Sequence, residues 1–241
     1  MANLQVAKEN KRVYVIGDIH GRLDLLDRLI ADIARDAKGQ EENALTVTLG
    51  DYIDRGPNSR GVLDRLVGHP FPGAYVALKG NHEAVLEVFL DNPAVLGEWR
   101  RLGGLETLQS FGIPVAPLLR GKNYLEAAEQ LRDAISPKQA KFLASLEMSL
   151  TIGPYFLCHA GIRPGISLAG QSPADLLWIR DEFLTSTMDF GKIVVHGHTP
   201  TEQPEVLPNR INIDTGAYAS GHLTCLIPER DKRQIYDDLD C

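Results

Sequence analysis

An α/β fold is predicted for this chain on three observations. Apolar runs rich in β-formers, "VYVIG", "ALTVTLG" and "AYVALKG", each end in glycine. Amphipathic helical stretches separate them. Apolar runs of strand length return in the last third of the chain. Over residues 12–90 the order is strand 12–17, helix 22–36, strand 44–49, helix 58–67, strand 73–79, helix 82–90. That βαβαβ alternation implies a parallel sheet with right-handed crossovers.

The first strand is apolar without alternation, as expected when both faces are covered. In helix 22–36, Leu25, Leu26, Leu29, Ile30 and Ile33 recur at helical spacing with charges between them. Residues 91–150 read as a helical insert. Within it "SPKQ" marks a helix start, with Ser136 as N-cap, Pro137 at N1 and Gln139 at N3. Strands follow at 155–159, 192–196, 210–213 and 222–227, and a second helix start lies at Ser172. No repeat or linker divides the chain, so one domain over 1–241 is expected.

Composition excludes several function classes. The net charge of -7 argues against broad attraction to nucleic acid or an anionic membrane. No apolar run approaches a membrane span, and "MANLQVAKEN" lacks the apolar core of a signal peptide. A cytoplasmic monomer is expected. Cys158, Cys225 and Cys241 form neither a disulfide framework nor a CxxC clip, and Cys158 and Cys225 read as reduced core thiols. The stretch "CHAGIR" approaches a thiol-phosphatase loop, but Arg163 follows Cys158 after four residues where five are needed. P-loop and dinucleotide-binding signatures are absent.

Chemistry collects at the carboxyl ends of the strands, where open α/β sheets bind ligands. The first strand delivers Asp18 and His20 in "GDIHG". The second delivers Asp51, Asp54 and Arg55 in "GDYIDRG", and the third Asn81 and His82 in "GNHE". The steps from Asp18 to Asp51 and from Asp51 to Asn81 are 33 and 30 residues, about one βα unit each. Later strands end in "CHAG" with His159 and "HGHT" with His196 and His198. Two carboxylates, an amide oxygen and three imidazoles form a mixed O/N set suited to Mn, Fe or Zn. Six such groups exceed one tetrahedral ion and suit two ions, about 3.5–4 Å apart when a carboxylate is shared.

These motifs, in this order over residues 17–199, resemble the PPP family of calcineurin-like metallophosphoesterases, in particular bacterial serine/threonine protein phosphatases. "NIDTGA" at 212–217 fits that family's final strand. The resemblance implies a central β-sandwich flanked by helices, in place of a simple parallel sheet. It implies one metal on Asp18, His20 and bridging Asp51, and a second on Asp51, Asn81, His159 and His198, with Mn2+ first among the ions. It implies His82 as general acid, Asp54 as its orienting partner, Arg55 and Arg180 as phosphate clamps, and in-line attack by a metal-bridging hydroxide. The implied substrate is a phosphoprotein or a small phosphate monoester. A dinucleoside tetraphosphate hydrolase shares the metal core but departs from "DRG" and "NHE", which are intact here. A non-catalytic scaffold would be expected to lose His82, Asp54 or the arginines, and all are present. His196 reads as structural or as a support behind the ligands, His69 and His222 as ordinary residues without a motif, Asp214 as a turn-former and hydrogen-bond acceptor, Arg163 as a surface salt bridge, and Trp99 as packing for the insert. Tyr218 either lines the cleft or lies outside it.

Overall fold

The computed structural model describes residues 4–6, 11–228 and 233–236; Cys241 and most of the first ten residues lie outside them. Its strands are β1 (Leu4–Val6), β2 (Arg12–Ile16), β3 (Ala44–Thr48), β4 (Ala74–Ala77), β5 (Ser149–Ile152), β6 (Tyr155–Cys158), β7 (Ile193–His196), β8 (Glu205–Val206), β9 (Arg210–Asn212), β10 (Cys225–Pro228) and β11 (Arg233–Tyr236). The helices are α1 (Leu23–Asp36), α2 (Ser59–Val67), α3 (Asn81–Asp91), α4 (Leu96–Trp99), α5 (Gly104–Ser110), α6 (Ala116–Leu119), α7 (Tyr124–Ala134), α8 (Pro137–Ala144), α9 (Pro173–Trp178), α10 (Asp181–Leu184) and α11 (Ala217–Ser220).

Two mixed sheets form the sandwich that the resemblance implied. One has the order β11-β10-β2-β3-β4, the other β1-β5-β6-β7-β9-β8. Strands β2, β3 and β4 are parallel, with Val15 opposite Val47 and Val47 opposite Val76. The wholly parallel sheet expected from the βαβαβ pattern is corrected by β10, which pairs antiparallel with β2. Strands β1, β5, β8 and β11 were not foreseen. They are short: β1 pairs over three residues with the distant β5, β8 over two with β9, and β5 and β11 are four residues each.

The period-two alternation of β2 explains its unbroken apolar sequence. Val13 and Val15 face the sandwich interior with Leu45, Val47, Leu157, Val195 and Ile211. Tyr14 and Ile16 face the helices with Leu25, Leu26, Leu29 and Val62. Each such apolar side chain contributes about 1.5–3 kcal/mol on burial. A third cluster packs α9 and α10 on the outer face of the second sheet, through Phe156, Val194, Leu176 and Phe183.

The insert folds as the cap signals required at one point. Ser136 Oγ accepts from Gln139 N at 3.2 Å, and Gln139 Oε1 accepts from Ser136 N at 2.8 Å. Ser172 caps α9 in the same way, accepting from Asp175 N at 3.1 Å. No helix among the described residues is long and apolar enough to cross a membrane.

Candidate metal centre and phosphate cleft

The expected site residues lie just beyond six strand ends, but those strands belong to two sheets, not one. Asp18, Asp51 and Asn81 follow β2, β3 and β4, whereas His159, His198 and Asp214 follow β6, β7 and β9. Backbone bonds stitch the loops together. Ile19 N and His20 N donate to Asp51 O at 3.1 and 2.8 Å, and Gly197 N donates to His159 O at 2.8 Å. His159 Nδ1 donates across the sandwich to Leu49 O at 3.1 Å.

The loops are strained. His20, Asp51, Asp54, Arg55 and His198 all have φ between 45° and 72°. Such conformations cost on the order of 1–3 kcal/mol each and persist only where surrounding structure over-determines them. Glu83 supplies part of that restraint. Its buried carboxylate accepts from the backbone N–H of Asp51, Tyr52 and Gly80 at 3.0, 2.8 and 3.0 Å. Glycine is required at two of these positions. Gly50 has φ +107°, and a Cβ on Gly80 would stand 2.1 Å from Asp51 Oδ1.

Two overlapping groups share Asp51: His20, Asp51 and His82, and Asp51, His159 and His198. The second contains three of the four residues expected around one ion. The fourth, Asn81, presents Oδ1 to His159 Nε2 and His198 Nδ1, each at 2.8 Å. The first contains His82 where Asp18 was expected. Asp18 uses Oδ2 to accept from His198 N at 3.0 Å, while Oδ1 has no hydrogen-bond partner among the described residues. His198 Nε2 is also buried without a hydrogen-bond partner among the described residues.

Electrostatics point the same way. Burial and the neighbouring Asp214 and Asp51 carboxylates push Asp18 well above the usual carboxylate range; burial and Glu83 do the same to Asp51. Burial drives His20 and His159 well below the usual imidazole range, and burial with Arg180 brings His198 down to about 3. Unprotonated imidazoles, crowded carboxylates and orphaned buried donor atoms fit divalent cations, which would balance the acidic charge.

The Asp54–His82 pair stands beside this cluster. His82 Nδ1 lies 2.6 Å from Asp54 Oδ2, which directs Nε2 toward Asp51 Oδ2 at 3.6 Å. Asp54 also accepts from Trp99 Nε1 at 2.7 Å and Thr107 Oγ1 at 2.5 Å. Burial raises its carboxyl to about 7, against those donors, and lowers His82 to about 3. Trp99, expected only as packing, is fully buried against Phe89 and in addition orients Asp54. Trp99 and Thr107 both come from the insert.

Arg55 and Arg180 line one cleft with His20, His82 and Asp214. Arg180 donates to Thr199 Oγ1 at 3.0 Å. Tyr218 lies inside the cleft. Its hydroxyl accepts from Arg55 Nη1 at 2.6 Å, and its ring sits 4.6 Å from the guanidinium and 5.4 Å from the His20 ring. Asp214 is the turn-former expected, accepting from Gly216 N at 2.9 Å, and it also lines the cleft. Arg163 pairs outside the cleft with Asp175 and Glu182. The sequence reading passed over two contributors: Glu83, despite its place in "GNHE", and Trp178, an exposed aromatic on the cleft.

The profile of the calcineurin-like phosphoesterases matches residues 11–225. The chain is 29% identical to the bis(5'-nucleosyl)-tetraphosphatase PrpE of Halalkalibacterium halodurans, over 88% of each chain. It is 28% identical to serine/threonine-protein phosphatase 2 of Escherichia coli, over 90% of this chain and 93% of that one. A crystal structure described as a candidate diadenosine tetraphosphatase aligns over the full length of both chains, with a TM-score of 0.68 and 20% identity, a likeness of fold.

Proposed function

Because the chain belongs to the calcineurin-like phosphoesterase family over residues 11–225, we propose that it is a cytoplasmic, dinuclear metal-dependent phosphomonoesterase acting on phosphoserine and phosphothreonine in proteins. Hydrolysis of phosphate esters on a divalent metal site is the family's chemistry; the substrate class and a manganese pair are the proposal. The supporting observation is that two guanidiniums, Arg55 and Arg180, share one cleft with the Asp54–His82 pair.

In this reading Asp18, His20 and Asp51 hold one ion, and Asp51, Asn81, His159 and His198 hold the other. When bound, the two cations supply Lewis acidity and lower the pKa of coordinated water to about 7. Arg55 and Arg180 bind the terminal phosphoryl dianion, whose free oxygens match the planar fork of each guanidinium. Tyr218 fixes the Arg55 fork. Asp54 holds the His82 proton on Nδ1 while the ring is neutral. The phosphoryl dianion, once in the cleft, offsets the burial and the two guanidiniums that keep the free ring at about 3, so Nε2 takes up a second proton from solvent and passes it to the leaving alkoxide.

A second reading, hydrolysis of a dinucleoside tetraphosphate, is favoured by Trp178. This residue is 43% exposed, lines the same cleft and lies 6.2 Å from the His198 ring, so a nucleobase could stack on it. Steady-state kinetics with Mn2+ on a phosphoserine peptide and on diadenosine tetraphosphate separate the two. We expect kcat/KM at least tenfold higher on the peptide, and an effect of Trp178→Ala of no more than a few-fold. A tenfold preference for the dinucleotide, lost in Trp178→Ala, would transfer the assignment to the second reading.

A further inference from the structure

Away from the metal cluster, β4 closes the first sheet with one side of its backbone open. Only a single bridge covers its far end, where Leu78 pairs with Glu147. There Glu147 N donates to Ala77 O and Lys79 N donates to Glu147 O. On the opposite side Leu78 N donates to Thr48 O in β3. The two-residue period therefore turns the N–H and C=O of Tyr75 and the N–H of Ala77 away from β3. They face a groove between β4, the end of α2 and the side of α8.

That groove has a volume of about 560 Å³, against about 50 Å³ for the metal-site cleft. Leu66, Tyr75, Ala77 and Phe142 give it an apolar floor. Lys138 and Lys141, three residues apart on one face of α8, stand on its wall. Both are exposed, and neither has an ion-pair partner among the described residues. Among the described residues Glu147 is the one carboxylate lining the groove, at the bridged end. In a chain of net charge -7, a cationic wall over an apolar floor beside an open strand edge selects an acidic, extended ligand.

We infer that this groove is a docking site for an extended peptide segment of a partner protein carrying carboxylates among apolar residues. The segment would add as a strand beside β4, its backbone bonding Tyr75 and Ala77, its apolar side chains reaching the Tyr75–Phe142 floor and its carboxylates the two lysines. The inference stands apart from the phosphatase reading, since no residue of the metal cluster or phosphate cleft takes part.

The test uses the full chain and a fluorescein-labelled eight-residue peptide of alternating valine and glutamate, followed by anisotropy. Saturable binding is expected, weakening with added salt. It should fall about tenfold in the Lys138→Glu/Lys141→Glu double variant, because two attractions become repulsions. Hydrogen exchange should show new protection over residues 74–78 on peptide addition. Ala77→Pro, which removes one edge donor, should weaken binding while leaving the circular dichroism unchanged. The inference is overturned by no saturable binding, by equal binding of a valine–lysine peptide, by full binding in the lysine variant, or by protection elsewhere. Sedimentation showing a dimer that the lysine substitutions dissolve would also overturn it, assigning the edge to a second copy of the chain.

Discussion

The loops at the strand ends and the helical segment after α3 meet at one residue, Asp54, and contribute to it in different ways. The loops bring chemistry that only a few side chains can supply: carboxylate, imidazole, carboxamide and guanidinium. The helical segment brings an indole N–H from Trp99 and a hydroxyl from Thr107. It also presses a turn against Arg55, whose N–H donates to Gly103 O at 3.3 Å. A Cβ on Gly103, at φ +99°, would lie 2.4 Å from Arg55 N. Groups proposed to touch metal or phosphate are restricted in type, whereas groups that hold them can be almost any donor with the right reach.

The sharpest break should come on the loop side. Asp51 is shared by both ligand groups, so Asp51→Ala is expected to lose bound metal and activity together. Elemental analysis and turnover on p-nitrophenyl phosphate measure both. A fully active variant with full metal content would sink the shared-ligand assignment.

His82→Asn comes next. It should keep metal and lower kcat by about 10² to 10⁴-fold on a phosphoserine peptide. The loss should shrink on p-nitrophenyl phosphate, whose leaving group needs little protonation. Equal losses on the two substrates would argue against His82 as the proton donor.

Trp99→Phe then asks how much the helical segment contributes. The substitution keeps an aromatic ring against Phe89 and deletes one hydrogen bond to a buried carboxylate. Hydrogen bonds to charged groups are worth about 1.5–3 kcal/mol, so a kcat loss of about 10- to 100-fold is expected if the full amount reaches the transition state. Since Trp99 would act through Asp54 on His82, its removal in a His82→Asn background should cost little more. Additive losses would show that Trp99 acts by another route.

The same contrast explains what was legible in the sequence. The three parallel strands and their helices could be read because β2 is buried on both faces and each strand ends at a glycine-rich turn. Asp18, His20, Asp51, Asn81, His159 and His198 were singled out because their residue types recur at strand ends. Glu83 was passed over although it binds three backbone N–H groups, since nothing in "GNHE" distinguishes a ligand from a clamp. Trp99 looked like packing because it is core by burial, and Thr107, equally buried, carried no signal that singled it out. Strand β8 was missed because two residues carry almost no periodic signal.

Cys158 gives the smallest expected effect and separates neighbours in sequence from neighbours in function. It precedes His159 in "CHAG", and a thiol nucleophile was excluded there on spacing alone. Strand alternation supplies the physical reason. Cys158 ends β6 facing the third apolar cluster with Phe156, Ala160 and Phe183, while His159 reaches Asn81 in the metal cluster. The thiol is fully buried, its Sγ donates to Gly161 O at 3.4 Å, and burial pushes it well above the ordinary thiol range. A thiolate is therefore disfavoured, and Cys158 packs in that apolar cluster instead of lining the cleft. Cys158→Ser replaces a weak thiol donor by a hydroxyl of similar shape that can still donate to Gly161 O, so kcat should stay within about twofold, and the enzyme should remain sensitive to chelators and insensitive to iodoacetamide. Trapping a phosphocysteine, or losing turnover with folding and metal content intact, would return the reaction to the thiol.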